Sequence, residues 1–189
     1  MVMAGDDKSG DQLLVTIHDG VAYVRLHNRG SFKVSKAMKQ FGVSAIERNI
    51  NRIVVDLADC VGMDSTFMGV LAGLAFRLKQ KNNGHLYMVN LSARTRGLLS
   101  TLGLDQLVET CMAGATPKEF EEIVGRGRAL EELPADAASR RETAEMMLEA
   151  HENLVQVSPE NLPRFKDVLT FLRDDIQKAD ADKGREPEP

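Results

Sequence analysis

Long apolar segments are missing from this sequence of 189 residues. A helix that crosses a bilayer needs about 18 or more consecutive apolar residues, and no run of that length occurs. Residues 1–11 are polar and acidic and lack the apolar core of a secretory signal peptide. The sequence therefore predicts a cytoplasmic protein without a membrane span and without a membrane partner.

Cysteine is scarce, with Cys60 and Cys111 as its two occurrences. Two thiols are too few for a disulfide framework, and both have apolar neighbours, so we expect buried free thiols. No pair of histidines or cysteines has the spacing of metal ligands, such as Cys-x-x-Cys. The segment Gly125-Arg126-Gly127 lacks the third glycine and the preceding strand of a dinucleotide site. These absences predict no metal, no cofactor and no catalysis.

A concentration of basic charge is also lacking, although the net charge of −4 hides an asymmetry. Residues 1–114 contain 13 basic and 10 acidic side chains, whereas residues 115–189 contain 11 basic and 18 acidic ones. The basic surplus of the first segment is small, and neither a stripe of basic and aromatic residues nor a helix-turn-helix pattern is visible. We therefore expect no direct binding to nucleic acid, and a chain divided into two segments of opposite charge.

The most informative stretch predicts a strand followed by a helix. Residues 53–57 are mostly β-branched or aliphatic, which is typical of a buried strand. After a turn, apolar residues recur at helical spacing over residues 67–78. The helix must begin near Asp64, Ser65 and Thr66, whose side chains accept hydrogen bonds from the free N–H groups of a first turn. Ser65 thus stands at a strand-to-helix junction, where its hydroxyl either caps the helix or serves a partner.

The other predicted elements complete a sheet with helices. Two apolar runs joined by Asp19-Gly20 predict a β-hairpin, because glycine tolerates the positive φ of a tight turn. The remaining elements are a helix over residues 35–49, a strand over 84–90, a helix over 93–102 that begins after Ser92, an edge strand within 104–111 and a helix that begins at Thr116-Pro117. The basic face of the first helix is either solvated or docks an acidic partner. The prediction is an α/β fold with a mixed sheet of about five strands packed with helices.

The acidic C-terminal segment predicts a helical hairpin over residues 134–178. Capping patterns at Ser139 and at Ser158-Pro159 start two helices with one apolar face each. The predicted inward positions are Ala144, Met147, Leu148, His151, Leu154 and Val155 in the first helix, and Leu162, Phe165, Val168, Leu169, Leu172 and Ile176 in the second. Two such helices cannot bury both faces alone, so they pack on the preceding domain, which we favour, or on a second chain in a homodimer. Residues 1–11 and 179–189 are expected to be disordered.

A run of consecutive features begins at the central strand. It comprises Asp64-Ser65-Thr66, Gly69-Val70-Leu71, the basic stretch from Arg77 to Lys81, Asn83-Gly84, the strand at residues 86–90 and Leu102-Gly103-Leu104. This run resembles, without gaps, the pattern of the STAS domain family, the domain of anti-sigma factor antagonists, and the likeness extends over roughly residues 12–114. One departure is Phe67, which stands where the family usually has glycine.

The resemblance implies a domain and a function. A STAS domain would span residues 12–133, and Ser65 would be phosphorylated by the partner, an anti-sigma factor that is itself a serine kinase. The unphosphorylated protein would bind this kinase and free a sigma factor, so that it regulates transcription indirectly. The phosphorylated protein would release the kinase, and a PP2C-type phosphatase would reset it. The protein would then be a bacterial phosphoprotein and not an enzyme, with a partner-binding surface made of Asp64, Ser65, Thr66, Phe67 and Met68.

Three other functions fit parts of the pattern. A constitutive scaffold of a larger signalling assembly would use Ser65 only as a helix cap and Phe67 as part of a permanent interface. A small-ligand carrier would need a well-formed internal pocket. A serine hydrolase is disfavoured, because the corresponding strand-serine-helix motif needs glycine two residues before and after the serine, where Met63 and Phe67 stand here.

Overall fold

A mixed β-sheet lies at the centre of the computed structural model, which describes residues 10–125, 129–134 and 138–183. The strands in these ranges are β1 (Gln12–His18), β2 (Val21–Gly30), β3 (Arg52–Asp56), β4 (Cys60–Met63), β5 (His85–Leu91), β6 (Glu109–Met112) and β7 (Glu131–Glu132). The helices are α1 (Phe32–Glu47), α2 (Ser65–Lys79), α3 (Ala93–Thr101), α4 (Lys118–Gly125), α5 (Arg140–Val157) and α6 (Leu162–Lys183). The predicted α/β class is confirmed.

Parallel pairing dominates the sheet after the first hairpin. The strand order is β6-β5-β3-β2-β1-β7, and β4 pairs with the last residues of β2. β1 and β2 form the predicted antiparallel hairpin, with φ of 47° at Asp19 and 73° at Gly20 in its turn. β3 is parallel to β2 and β5, so the N-termini of α2 and α3 both lie towards the C-terminal ends of these strands. The sequence predicts neither β4 nor β7, because segments of four and two residues show no periodicity.

Helices cover both faces of the sheet, which explains why β3 is apolar throughout. Ile53 and Val55 belong to the larger core cluster, which also contains side chains of α1, α2 and α3. Val54 belongs to a second cluster, together with Tyr23 of β2 and Phe120 of α4. Successive side chains of a strand point to opposite faces, so β3 contributes to both cores.

The C-terminal end of β3 buries a carboxylate, that of Asp56, which is 1% exposed. Its oxygens accept hydrogen bonds from the Tyr23 hydroxyl (2.6 Å), the Asn90 side-chain amide (2.8 Å) and the Ala58 backbone N–H (2.9 Å). Burial, and next the hydrogen bond to Asp56, raise the pKa of Tyr23 far above its ordinary value. Both carboxylate oxygens have donors, so this group stabilises the alignment of β2, β3 and β5.

The C-terminal hairpin, which we define as α5, α6 and the turn between them, packs on α2 of the same chain. Ala150 and Leu154 of α5 and Phe165 and Leu169 of α6 are buried in the larger core cluster. The hairpin therefore buries its apolar faces in cis, the alternative that the sequence favours over a second chain.

The outer face of α6 differs from the sequence prediction. Leu162 and Val168, predicted to point inward, are 49% and 39% exposed, and Phe171 is 66% exposed. The buried face instead follows Phe165, Leu169 and Leu172, which are all at most 9% exposed. The prediction placed too many residues on the buried face of α6. Helical spacing shows which residues share one side of a helix, but not which of them contact a neighbouring helix.

The ends of the described chain extend further than predicted. Asp11 accepts hydrogen bonds from the side chains of Asn28 (2.8 Å) and Ser31 (2.5 Å), and α6 continues to Lys183. Residue 11 and residues 179–183, which were predicted to be disordered, belong to the described residues, whereas residues 1–9 and 184–189 lie outside them. Among the helices of the described ranges, none combines the length and the apolar character needed to cross a bilayer.

Candidate functional site

The junction between β4 and α2 places Ser65 at the edge of the sheet. β4 runs beside the end of β2, where Met63 is paired with Gly30. The N–H of Asp64 then donates to the Gly30 carbonyl at 2.8 Å, and the chain turns into α2. Asp64 is the N-cap (φ −92°, ψ 170°), and Ser65 is the first helical residue. The predicted junction is present, and the unpredicted strand β4 fixes its position.

The Asp64 carboxylate joins the N-termini of two helices. One oxygen accepts a hydrogen bond from the Phe67 N–H at 2.9 Å, which is the usual N-cap contact within α2. The other accepts from the N–H of Phe32, the first residue of α1, at 2.8 Å. A carboxylate in this position also faces the positive ends of both helix dipoles. Asp64 is therefore a structural acid with both oxygens engaged.

Ser65 is partly buried, and its hydroxyl contacts the C-terminal hairpin. Its Oγ lies 3.0 Å from Nε2 of His151 on α5, and Nδ1 of that ring lies 2.7 Å from the carbonyl oxygen of Met147. A carbonyl oxygen only accepts, so Nδ1 carries a proton, and in the neutral ring Nε2 is the acceptor. The Ser65 hydroxyl accordingly donates a hydrogen bond to His151. The sequence gives no sign of this pair, because 86 positions separate the two residues.

His151 is enclosed by apolar packing as well as hydrogen-bonded. It is 5% exposed, and its ring meets the Phe165 ring of α6 edge-on, with the centroids 4.9 Å apart. A catalytic serine–histidine pair holds Nδ1 against a carboxylate and keeps Nε2 and the hydroxyl open to substrate. Here Nδ1 binds a backbone carbonyl of its own helix. The geometry is that of a helix–helix contact rather than of a hydrolase.

Three of the five residues predicted for the partner surface point inward. Thr66, Phe67 and Met68 are 5%, 0% and 5% exposed, whereas Asp64 and Ser65 are partly exposed. The prediction treated the first turn of α2 as one surface, but successive helical residues point in directions about 100° apart, and most of this turn packs inside. In this structure, Asp64 and Ser65 are the two of the five that reach solvent.

Phe67 occupies space that a glycine on β2 leaves open. A Cβ at Gly30 would lie 2.4 Å from Cδ1 of Phe67, so the ring fills the volume beside the β2 backbone. The ring is fully buried in the larger core cluster. Phe67, which stands where the family usually has glycine, is therefore a core residue. Its buried position does not fit the expected role in an interface.

Two exposed apolar side chains flank the junction instead. Phe32 at the start of α1 is 44% exposed, and Val61 in β4 is 53% exposed. Phe32 is tied to the junction by its N–H bond to Asp64, and Val61 precedes Asp64 by three residues. Sequence reasoning missed both, because they stand in segments assigned to turns. We call Phe32, Val61, Asp64 and Ser65 the junction surface.

Helix α5 lies against a row of small residues on α2 that begins at Ser65. Gly69 and Gly73 continue the row one and two turns later. A Cβ at Gly69 would lie 2.1 Å from the carbonyl oxygen of Ala150, and one at Gly73 would lie 2.5 Å from the side-chain nitrogen of Asn153. The same Asn153 nitrogen donates to the Gly69 carbonyl at 3.2 Å. The helices thus meet at backbone distance, which a larger side chain at Gly69 would prevent.

Acidic side chains of α5 meet the basic face of α1. Lys39 pairs with Glu149, and the Lys36 ammonium lies 3.8 Å from the Glu142 carboxylate. From the sequence, this basic face was either solvated or a docking site for an acidic partner. Part of it docks the acidic hairpin of its own chain. Partly exposed ion pairs add little stability, so they orient the hairpin rather than hold it.

The fold and the site together define an α/β protein that presents a serine at a helix N-terminus on the edge of a mixed sheet. The sequence profile of the STAS domain matches residues 12–116, which is more than half of the chain. The chain belongs to the STAS domain family.

Several solved structures are similar to this chain. An anti-sigma factor antagonist from Mycobacterium paratuberculosis has a TM-score of 0.51 and 20% identity, over 63% of this chain and 97% of that chain. The protein TM1081 from Thermotoga maritima has a TM-score of 0.50 and 21% identity, over 59% and 87%. The Bacillus anti-sigma factor antagonist SpoIIAA, in its unphosphorylated form, has a TM-score of 0.47 and 18% identity, over 62% and 99%. No curated protein sequence matches the chain.

Replacing Phe67 should separate its core role from any role in binding. We expect Phe67→Ala to lower the free energy of unfolding by about 3–5 kcal/mol, because a fully buried ring is removed and a cavity remains. Phe32→Ala, the matched change at an exposed ring, should alter it by about 0.5 kcal/mol or less. Urea unfolding followed by circular dichroism measures both. Equal losses would contradict the assignment of Phe67 to the core.

Replacing Asp64 should test the link between α1 and α2. Asp64→Ala removes both hydrogen bonds and should cost about 1–2 kcal/mol or more in unfolding free energy. Asp64→Asn keeps an oxygen for the Phe67 N–H but turns an NH₂ group towards the Phe32 N–H, so its loss should be intermediate. The same urea titration provides the measurement. An unchanged free energy of unfolding in Asp64→Ala would show that the carboxylate does not hold the two helices together.

Proposed function

We propose that this protein is a non-catalytic anti-sigma factor antagonist that changes partners according to the phosphorylation of Ser65. Unphosphorylated, it binds an anti-sigma factor that is a serine kinase, and a sigma factor becomes free to act on transcription. Phosphorylated, it releases the kinase, and a PP2C-type phosphatase resets it. The observation that carries this proposal is the position of Ser65, partly exposed in the first turn of α2, in a chain that belongs to the STAS family.

Phosphorylation would change the charge of the junction surface without requiring a new fold. A phosphate adds about −1.5 to −2 charges beside Asp64, and this charge loses its hydration if a partner stays docked on it. A penalty of about 2.8 kcal/mol lowers affinity about a hundredfold. In the free protein, the N–H groups and the dipole of the α2 N-terminus favour an anion at Ser65. The modification is thus tolerated by the free chain and opposed in the complex.

The partner surface in this proposal is the junction surface. Phe32 and Val61 supply exposed apolar area near the polar pair Asp64 and Ser65. Apolar contacts that exclude water from a polar centre are typical of the core of an interface and make a buried charge there more costly. The inward-facing residues 66–68 of α2 would support this surface from below rather than touch the partner.

A constitutive scaffold is the second candidate, and one observation favours it. The Ser65 hydroxyl already donates to a 5% exposed histidine, which is the behaviour of a structural side chain. In a scaffold this hydrogen bond would be permanent, and the junction surface would hold one partner in all conditions. The two candidates differ in whether Ser65 ever carries a phosphate.

Mass spectrometry of the protein from its native host tests that difference. We expect Ser65 phosphopeptides whose abundance varies between growth conditions, and we expect Ser65→Ala, which cannot be phosphorylated, to keep the sigma factor free in every condition. A fully unmodified Ser65 in every condition, together with a normal response in the Ser65→Ala strain, would leave the scaffold as the remaining candidate.

Binding to an anti-sigma serine kinase of the same host tests the charge effect. Ser65→Ala should bind with unchanged or higher affinity, whereas Ser65→Asp should bind about a hundredfold more weakly, because a charge enters the interface. Ser44→Asp, the same change at an exposed site on α1, is the matched control and should leave the affinity unchanged. Isothermal titration calorimetry measures all three, and equal affinities for Ser65→Asp and Ser44→Asp would contradict the proposed interface.

A further inference from the structure

The C-terminal hairpin covers the face of α2 that starts at the proposed phosphorylation site. The Ser65 hydroxyl is bound by His151, and Ala150 of α5 lies against the backbone at Gly69. Ser65 is partly buried in this arrangement. A protein that docks on α2 around Ser65 would therefore meet α5 first.

The hairpin is attached by apolar packing and by polar contacts. Ala150, Leu154, Phe165 and Leu169 are buried in the larger core cluster. The polar contacts to α2 are the Asn153 hydrogen bond and the Ser65–His151 hydrogen bond, beside the backbone approach at Gly69. The turn of the hairpin is held at the end of α3, where Asn161, 3% exposed, donates to the Leu102 carbonyl at 3.0 Å. Towards α1, the contacts are partly exposed ion pairs. The described strand pairings involve neither α5 nor α6, so separation of the hairpin would break no hydrogen bond of the sheet.

We propose that the C-terminal hairpin is an autoinhibitory segment that occupies the α2 face in the resting protein and must be displaced before a partner reaches Ser65. The identity of the competing partner, an anti-sigma kinase, rests on the function proposed above. The displacement does not, because it is a property of this chain alone. The hairpin contacts Ser65 through His151 and the partner would dock over the same residue, so the two exclude one another there.

A phosphate on Ser65 should also exclude the hairpin. The phosphoryl group replaces the hydroxyl proton that His151 accepts, and it places a phosphorus and three oxygens on an oxygen already 3.0 Å from the ring nitrogen. The carbonyl oxygen of Ala150 lies close to Gly69, so α5 cannot move closer to α2 to make room for the phosphate elsewhere. Because coupling free energies are reciprocal, a phosphate that weakens the docking of the hairpin is itself favoured on the undocked chain.

Hydrogen–deuterium exchange of the full chain tests whether the hairpin separates from α2. Gly69→Ala places a Cβ where the Ala150 carbonyl oxygen lies, and alanine favours the helical state of α2 itself. Amides of α5 and α6 should exchange about tenfold faster, while those of β2, β3 and β5 stay unchanged. Gly97→Ala, the same substitution on α3 with nothing within 4 Å of the new Cβ, is the matched control and should leave α5 and α6 protected. Equal protection in both variants overturns the proposal.

A charge exchange provides a second route that leaves the core intact. Glu149→Lys places two like charges at a partly exposed ion pair and should speed exchange in α5 and α6 by only about twofold, because such pairs add little stability. The double variant Lys39→Glu with Glu149→Lys should restore the original rate. If Gly69→Ala unfolds the chain, this pair of variants decides. Unchanged exchange in Glu149→Lys counts against a displaceable hairpin.

Access to the site is measured with a thiol probe, which needs no kinase. In a background with Cys60→Ala and Cys111→Ala, the thiol of Ser65→Cys should react with iodoacetamide about tenfold faster when Gly69→Ala is added than when Gly97→Ala is added, because α5 no longer covers it. Equal rates would show that the hairpin does not restrict access to this position.

The phosphorylated state is tested with phosphoserine incorporated at position 65. Faster exchange in α5 and α6 than in the unmodified chain supports release by the phosphate, and equal or slower exchange overturns it. Failure of kinase binding with a displaceable hairpin would refute the proposed function alone. Kinase binding with a permanently protected hairpin would refute the autoinhibitory segment alone.

Discussion

The Asp64 carboxylate is the group on which the geometry of the site depends. By accepting N–H bonds from the first turns of both α1 and α2, it fixes the two helix N-termini relative to each other and to the end of β2. Ser65 follows Asp64 directly as the first residue of α2. The direction of its side chain therefore depends on the hydrogen bonds of Asp64, the N-cap residue. The apolar Phe32 is brought to the junction by the same carboxylate. The result is a small surface with polar and exposed apolar side chains, built from two separate segments of the chain.

The hairpin adds a second constraint that the STAS domain does not need for its own sheet. Helices that approach at backbone distance require small residues at the crossing, and Gly69 with Ala150 meets this requirement. The same row of α2 begins with the serine, which makes the serine part of the helix–helix contact. A residue with a structural hydrogen bond can also be a modification site, provided that the contact is weak enough to open. Ser65, the candidate modification site, and α5, the helix that covers it, therefore belong to the same helix–helix contact.

Much of the fold follows from local patterns. The first hairpin, α2 and α3 are marked by periodic apolar residues, the central strand and β5 by short apolar runs, and turn or capping residues stand at their ends. Two classes of feature were not predictable in this way. β4 and β7 are too short to show a period, although β4 positions the junction. The face of α6 that is buried depends on where α5 lies. Val168, which was predicted to point inward, is therefore exposed.

The sequence by itself determined that a serine stands at the start of a helix after a buried strand, and that an acidic helical pair follows the domain. Both features depend on capping hydrogen bonds and on helical periodicity, which involve residues close together in the sequence. Only the tertiary structure decided that Phe67 points into the core, that Phe32 and Val61 are exposed beside the serine, and that His151 reaches its hydroxyl. Contacts of this kind join segments far apart in the chain, and they are set by how whole helices pack, which no local pattern records.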